Sequence, residues 1–178
     1  MLVNTSRYDA VLRGEKPAIF DPEFAGGCLM DINFYNVLLN VMLFGKPKAA
    51  TYYANLHPGL CDTSGVMVMQ YDGFISTNAG AKDTKGVNFF QIEGEEGYIY
   101  LEGSAGEIRS VRTVTKDRDE IRNAQTDPDR WIYEVREVTR ILREEDREAA
   151  DRRLERTLET VEVMESARKA AGILFPGD

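Results

Sequence analysis

Asp31 and Tyr35 stand four residues apart in a stretch, residues 24–45, otherwise built mostly of Ile, Leu, Val, Met and Phe. At the helical repeat, side chains four apart share a face, so the carboxylate and the phenol would project together, with Leu38 and Met42 beside them. A carboxylate that accepts hydrogen bonds, next to a phenol that can give or take a proton, is suited to handling a substrate hydroxyl. An unpartnered carboxylate is too costly to bury, so Asp31 must meet a donor, a ligand or water. Helix pattern alone leaves a second reading open, in which Tyr35 is a core tyrosine with its hydroxyl satisfied and Asp31 bonds a nearby amide.

Lys82, in Gly80-Ala81-Lys82-Asp83, is a further candidate. It could reach a substrate hydroxyl or carboxylate, or remain an exposed lysine paired with Asp83. Asn36 joins it as a candidate substrate contact, although Asn33, Asn36 and Asn40 fall on the helix face opposite Asp31. His57 is the single histidine, which leaves no multi-histidine metal site and no histidine-based triad within these residues. Cys28 and Cys61 form neither a disulfide framework nor a metal spacing.

The elements that must carry these groups are legible from periodicity. The 24–45 stretch is apolar nearly all round and is expected to be covered on both sides; Gly26-Gly27 opens it and Gly45 with Pro47 ends it. Short runs of period two follow at 49–56, 66–71, 74–79, 87–92, 98–101 and 108–114, with Asp72-Gly73 and Gly94-Glu95-Glu96-Gly97 as hairpin turns. Tyr52, Gln70, Asn78, Lys82 and Gln91 are expected on the solvent or partner face. Residues 116–156 are densely charged with interleaved signs, the pattern of a solvated helical surface. Two apolar stripes, one of Trp131, Val135, Val138 and Leu142, the other of Leu154, Leu158, Val161, Met164 or Glu165, Arg168 and Ala171, are expected to pack. The fold class is therefore α+β: a mainly antiparallel sheet of five or six strands, helices on one face, the other face open. Residues 1–23 form a lead-in and residues 24–178 one domain with two carboxy-terminal helices.

The chain has 178 residues and a net charge of −8, which argues against nucleic-acid or anionic-membrane surfaces. No uninterrupted apolar run of about 18 residues and no leader pattern stand out, so a cytoplasmic, non-membrane protein is expected. No two glycines are separated by one residue, and no Gly-x-x-x-x-Gly-Lys-Ser/Thr loop occurs, so these residues alone are expected to bind neither NAD(P) nor ATP by those modes.

The run from Phe20-Asp21-Pro22 through Gly26-Gly27 to Asp31 and Tyr35 resembles the carboxy-terminal domain of the Gfo/Idh/MocA oxidoreductase family, as do Phe44-Gly45-Lys46-Pro47, Asp62-Thr63-Ser64-Gly65, Gly80-Ala81-Lys82-Asp83 and the final helix before Gly172-Ile173. The likeness covers nearly the whole chain. It implies a dihydrodipicolinate-reductase-like carboxy-terminal domain that binds substrate and forms a homodimer through its open sheet face. It also implies a Rossmann domain, in cis or in trans, that brings NAD(P) to a sugar, inositol or diol. In that family Tyr35 would hold the catalytic position and Asp31 would contact substrate or orient the acid, while a lysine from the Rossmann domain's Glu-Lys-Pro motif lowers the phenol's pKa. Glu15-Lys16-Pro17 spells that motif but stands too close to Gly26 to be its counterpart. Two other functions stay open: a non-enzymatic dimeric ligand-binding or scaffold module, and a cofactor-free lyase or isomerase using Asp31 and Tyr35.

Overall fold

A computed structural model describes residues 1–123 and 125–178. Eight strands and four α-helices follow in chain order: β1 (Leu2–Val3), α1 (Tyr8–Leu12), α2 (Phe34–Phe44), β2 (Ala49–Leu56), β3 (Asp62–Gln70), β4 (Ile75–Ala81), β5 (Phe89–Gly94), β6 (Gly97–Ser104), β7 (Glu107–Thr115), β8 (Arg118–Arg122), α3 (Trp131–Arg143) and α4 (Arg147–Ala170). The expected α+β class holds, with strands divided differently. There are two four-stranded sheets, ordered β1-β4-β3-β2 and β5-β6-β7-β8. The seam between them is β1, which pairs in parallel with β4, while the preceding Met1 exchanges backbone bonds with Phe89 and Val3 N–H donates to Asn88 Oδ1. Two residues are too few to show a period, so β1 left no sequence signal.

The strand β8 replaces what the charge pattern assigned to helix. Its cross-strand support is ionic rather than apolar: the Arg112 guanidinium donates twice to Asp119 across the β7–β8 ladder.

In the first sheet one face packs against α2 and α4 around Leu29, Val37, Val41, Tyr52, Met67, Met69, Val163, Met164 and Ala167. Register places Tyr52, Met67 and Asn78 in one cross-strand row on this inward side, and Tyr53, Val66 and Ala79 in the next row, on the outer side. That corrects the expected faces. Tyr52, Asn78 and Lys82 point inward and are buried, whereas Gln70 and Gln91 are exposed.

The expectation for the oily helix also changes. It is covered on one side only, and the buried side is the asparagine side. Asn33, Asn36 and Asn40 lie against β4. Asn33 donates to Asn78 O, Asn36 to Ala79 O, and Asn40 to the Asn78 side chain, while Ser76 donates to Asn40. By length and composition Pro22–Phe44 is long and apolar enough to cross a membrane, although Asp31 and three asparagines interrupt it, and half of its most apolar window is buried in this fold.

The two carboxy-terminal helices fall where expected; the α3 stripe does not pack, and the α4 stripe packs only in its second half, where Met164 and Arg168 are buried and Ala171 lies against the core. Trp131, Val135, Val138 and Leu142 of α3, and Leu154 and Leu158 of α4, are exposed. The pair is joined through polar contacts, with Arg153 donating to Glu137 and Arg140 to Asp146.

Candidate functional site

The site begins at the Gly26-Gly27 pair. A Cβ at Gly26 would lie 2.7 Å from Ala18 O, and one at Gly27 would lie 2.2 Å from Asp62 Oδ1, while Gly27 also holds φ at 121°. Both positions need glycine because backbone and a carboxylate press directly on them. The chain then enters a π-helical turn, Leu29–Asn33, before settling into α2. Such turns often mark functional positions, and this one carries Asp31.

Asp62 holds the start of that turn. It is 1% exposed; its Oδ2 accepts from Leu29 N–H at 2.8 Å and from the Tyr52 hydroxyl at 2.6 Å. Its Oδ1 has no partner among the described residues. Burial raises the Asp62 carboxyl above the usual carboxylate range, and the bonds from Tyr52 and Leu29 only partly offset this. Burial, then the Asp62 charge, likewise pushes the Tyr52 phenol up. Asp62 stands in the Asp62-Thr63-Ser64-Gly65 run, but its role is not legible in the sequence, because its partners lie 33 and 10 residues away.

Asp31 and Tyr35 emerge on the open side of the helix, with side-chain exposure of 43% for Asp31 and 42% residue exposure for Tyr35. Asp31 Oδ2 accepts from Lys82 Nζ at 2.5 Å. Lys82 is therefore neither surface-exposed nor paired with Asp83. Asp83 instead accepts from the hydroxyls of Thr63 and Ser64 at 2.7 and 2.9 Å. Tyr35 packs against the β6–β7 turn, where a Cβ at Gly106 would sit 3.2 Å from Tyr35 Cδ1. That contact joins the second sheet to the helix, and no local pattern announces it.

Of the four expected site residues, Asp31 and Lys82 are joined directly, while Tyr35 stands exposed four residues further along the helix and meets Gly106 instead. Asn36 does not join them. It is 1% exposed, and its amide nitrogen is committed to Asn33 Oδ1 and Ala79 O on the sheet side. Lys16 of the Glu-Lys-Pro tripeptide pairs with Asp21 at 3.0 Å. A shallow groove of about 340 Å³ lined by Tyr53, Asn55, Ser64 and Val66 lies on the outer face of the first sheet, away from Asp31 and Tyr35. No cluster of three or more metal-binding side chains occurs among the described residues.

Over 98% of its length the chain is 36% identical to scyllo-inositol 2-dehydrogenase (NADP(+)) IolU of Bacillus subtilis and 31% identical to the uncharacterized oxidoreductase YgjR of Escherichia coli. It covers 53% and 52% of those proteins, so it spans about half the length of the curated relatives it matches. Among solved structures, aldose-aldose oxidoreductase from Caulobacter crescentus matches with a TM-score of 0.65 at 15% identity, over 83% of this chain and 46% of that one, a likeness of fold. No protein-family model matches the chain. On sequence similarity and fold together, the chain belongs to the Gfo/Idh/MocA oxidoreductase family and corresponds to its carboxy-terminal α+β domain.

Proposed function

We propose that this chain is the substrate-binding half of an NAD(P)-dependent oxidoreductase acting on a hydroxyl of a sugar, inositol or diol, with Asp31 and Tyr35 facing the substrate. The observation that carries the reading is the placement of these two groups. They are the exposed polar pair of a helix whose other exposed positions, Met42, Leu43 and Phe44, are apolar, and the carboxylate is already ion-paired to a buried lysine. The similarity to an NADP(+)-dependent inositol dehydrogenase supports the substrate class.

Because the sequence has no Gly-x-Gly-x-x-Gly run, we assign the dinucleotide to another domain. The nucleotide-binding half belongs to the same polypeptide or to a partner chain, and this half is catalytically silent without it. Within its own residues, Asp31 accepts a hydrogen bond from a substrate hydroxyl, and Tyr35 exchanges a proton with the reacting oxygen. The protein works in the cytoplasm as a homodimer, joined through the outer face of the first sheet, where Tyr53, Val66 and Ile75 are exposed.

The reading is tested by following the amide and tyrosine-ring resonances of the isotope-labelled chain during titration with scyllo-inositol. Shifts centred on Asp31, Tyr35 and Gly106 are expected. Shifts confined to Tyr53, Asn55 and Ser64 would place the ligand in the outer groove and reject the assignment.

A further inference from the structure

We infer that Lys82 is a positioning residue for Asp31, one that fixes the orientation of the carboxylate while touching no substrate itself; the inference rests on the proposed role of Asp31. Lys82 is 1% exposed, at the end of β4. An ammonium has three protons to place. One goes to Asp31 Oδ2 at 2.5 Å and one to Ile19 O at 3.1 Å. The Phe20 ring, its centroid 4.5 Å from Nζ, takes the remaining side of the cation. With every direction occupied, the lysine has no donor left for a ligand.

The arrangement leaves Asp31 with one oxygen held and one free. Oδ1 has no hydrogen-bond partner among the described residues, and the side chain is 43% exposed. An ion-paired carboxylate only accepts hydrogen bonds, so the free oxygen is an acceptor aimed outward, fit for a hydroxyl donor.

The anchor behind it is stiff. Ile19 O also accepts from Gly27 N–H at 2.9 Å, so one carbonyl ties both the start of the site helix and the lysine. Lys82 N–H in turn donates to Thr63 O at 2.8 Å, continuing the β3–β4 ladder beyond Ala81. The cation that sets Asp31 is thus held by a sheet rather than a loop, which is how a site group keeps one geometry.

Two measurements on the whole chain test this. Side-chain scalar couplings of Asp31 should report a single rotamer in the wild type and averaging over several in Lys82→Gln, which keeps a donor but no charge. An unchanged single rotamer in that variant overturns the inference, whatever the ligand. Calorimetric titration with scyllo-inositol then compares the wild type, Lys82→Met, Asp31→Asn and the double variant, with Lys82→Gln replacing Lys82→Met if the latter does not fold. Removing the lysine should weaken binding about tenfold or more in the wild-type background and less than about twofold beside Asp31→Asn, because coupled residues are not additive. Equal losses in both backgrounds would mean that Lys82 meets the polyol or merely supports the fold, and would overturn the inference alone. A wild-type chain that binds no polyol would overturn it together with the function on which it rests.

Discussion

Asp62 shows how much a single buried side chain decides here. It caps the turn that carries Asp31, anchors Tyr52, and presses one unpartnered oxygen against Gly27. Asp62→Ala leaves the Leu29 N–H and the Tyr52 hydroxyl without their acceptor, and urea unfolding should show a loss of about 2–3 kcal/mol. Asp62→Asn keeps an oxygen for both donors and should retain most of that stability. The pH dependence separates the two effects. Burial raises the folded carboxyl above its unfolded value, so the folded state holds the extra proton between them. Stability from this group is therefore fully present below the unfolded value of about 4 and declines as pH rises through the raised folded one. The asparagine variant should lose that decline above about pH 4; an unchanged slope would mean that another group is responsible. Gly27→Ala should cost roughly 2 kcal/mol or more by the same melts, since it combines positive φ with a collision at Asp62. The sequence showed the Gly-Gly pair and the Asp62 motif separately. Only folding reveals that one exists to make room for the other.

At the scale of the element, the helix was legible in extent but not in coverage: it was expected to be covered on both sides and is covered on one. Asp31, Tyr35 and Met42 are exposed and Leu38 is half-buried, with a π-helical turn at Leu29–Asn33 carrying Asp31. Hydropathy, however, sends asparagine outward, while the fold turns Asn33, Asn36 and Asn40 inward, because β4 offers them Asn78, Ser76 and the Ala79 carbonyl. The same network explains why Asn78 was assigned to the wrong side of the sheet. Replacing Asn40 by Leu should cost about 2 kcal/mol in chemical unfolding, because the partners left behind stay buried and unpaired. A double replacement with Asn78→Ala should depart from the sum of the two by about 0.5–3 kcal/mol. β2 matched its sequence bounds, since alternation there is regular; β8 was missed because its pairing rests on Arg112 and Asp119 rather than on apolar alternation. The α3 stripe has helical spacing but no apolar cover among the described residues. Val138→Glu should accordingly leave the melting transition within about 0.5 kcal/mol of the wild type.

The molecule as a whole is two sheets joined at a two-residue strand, with helices on one face of the first sheet and broad surfaces left uncovered. If the outer face of the first sheet pairs two copies, Tyr53→Arg should convert a dimer to a monomer in sedimentation, with the melting of each protomer little changed; a wild-type monomer at micromolar concentration would contradict that interface. The overall class was legible because hairpin turns and strand periods survive in local sequence, whereas the seam at β1 and the Tyr35–Gly106 contact join distant segments. The experiment that decides whether Asp31 and Tyr35 form a catalytic wall is spectrophotometric. The chain is joined to the nucleotide-binding half of the Bacillus subtilis relative, and NADPH formation is followed with scyllo-inositol and a panel of sugars and diols. Turnover that falls about 100-fold or more in Tyr35→Phe and Asp31→Asn, without loss of folding, is expected for groups engaged in proton transfer. Turnover unaffected by both replacements would contradict the assignment of the site.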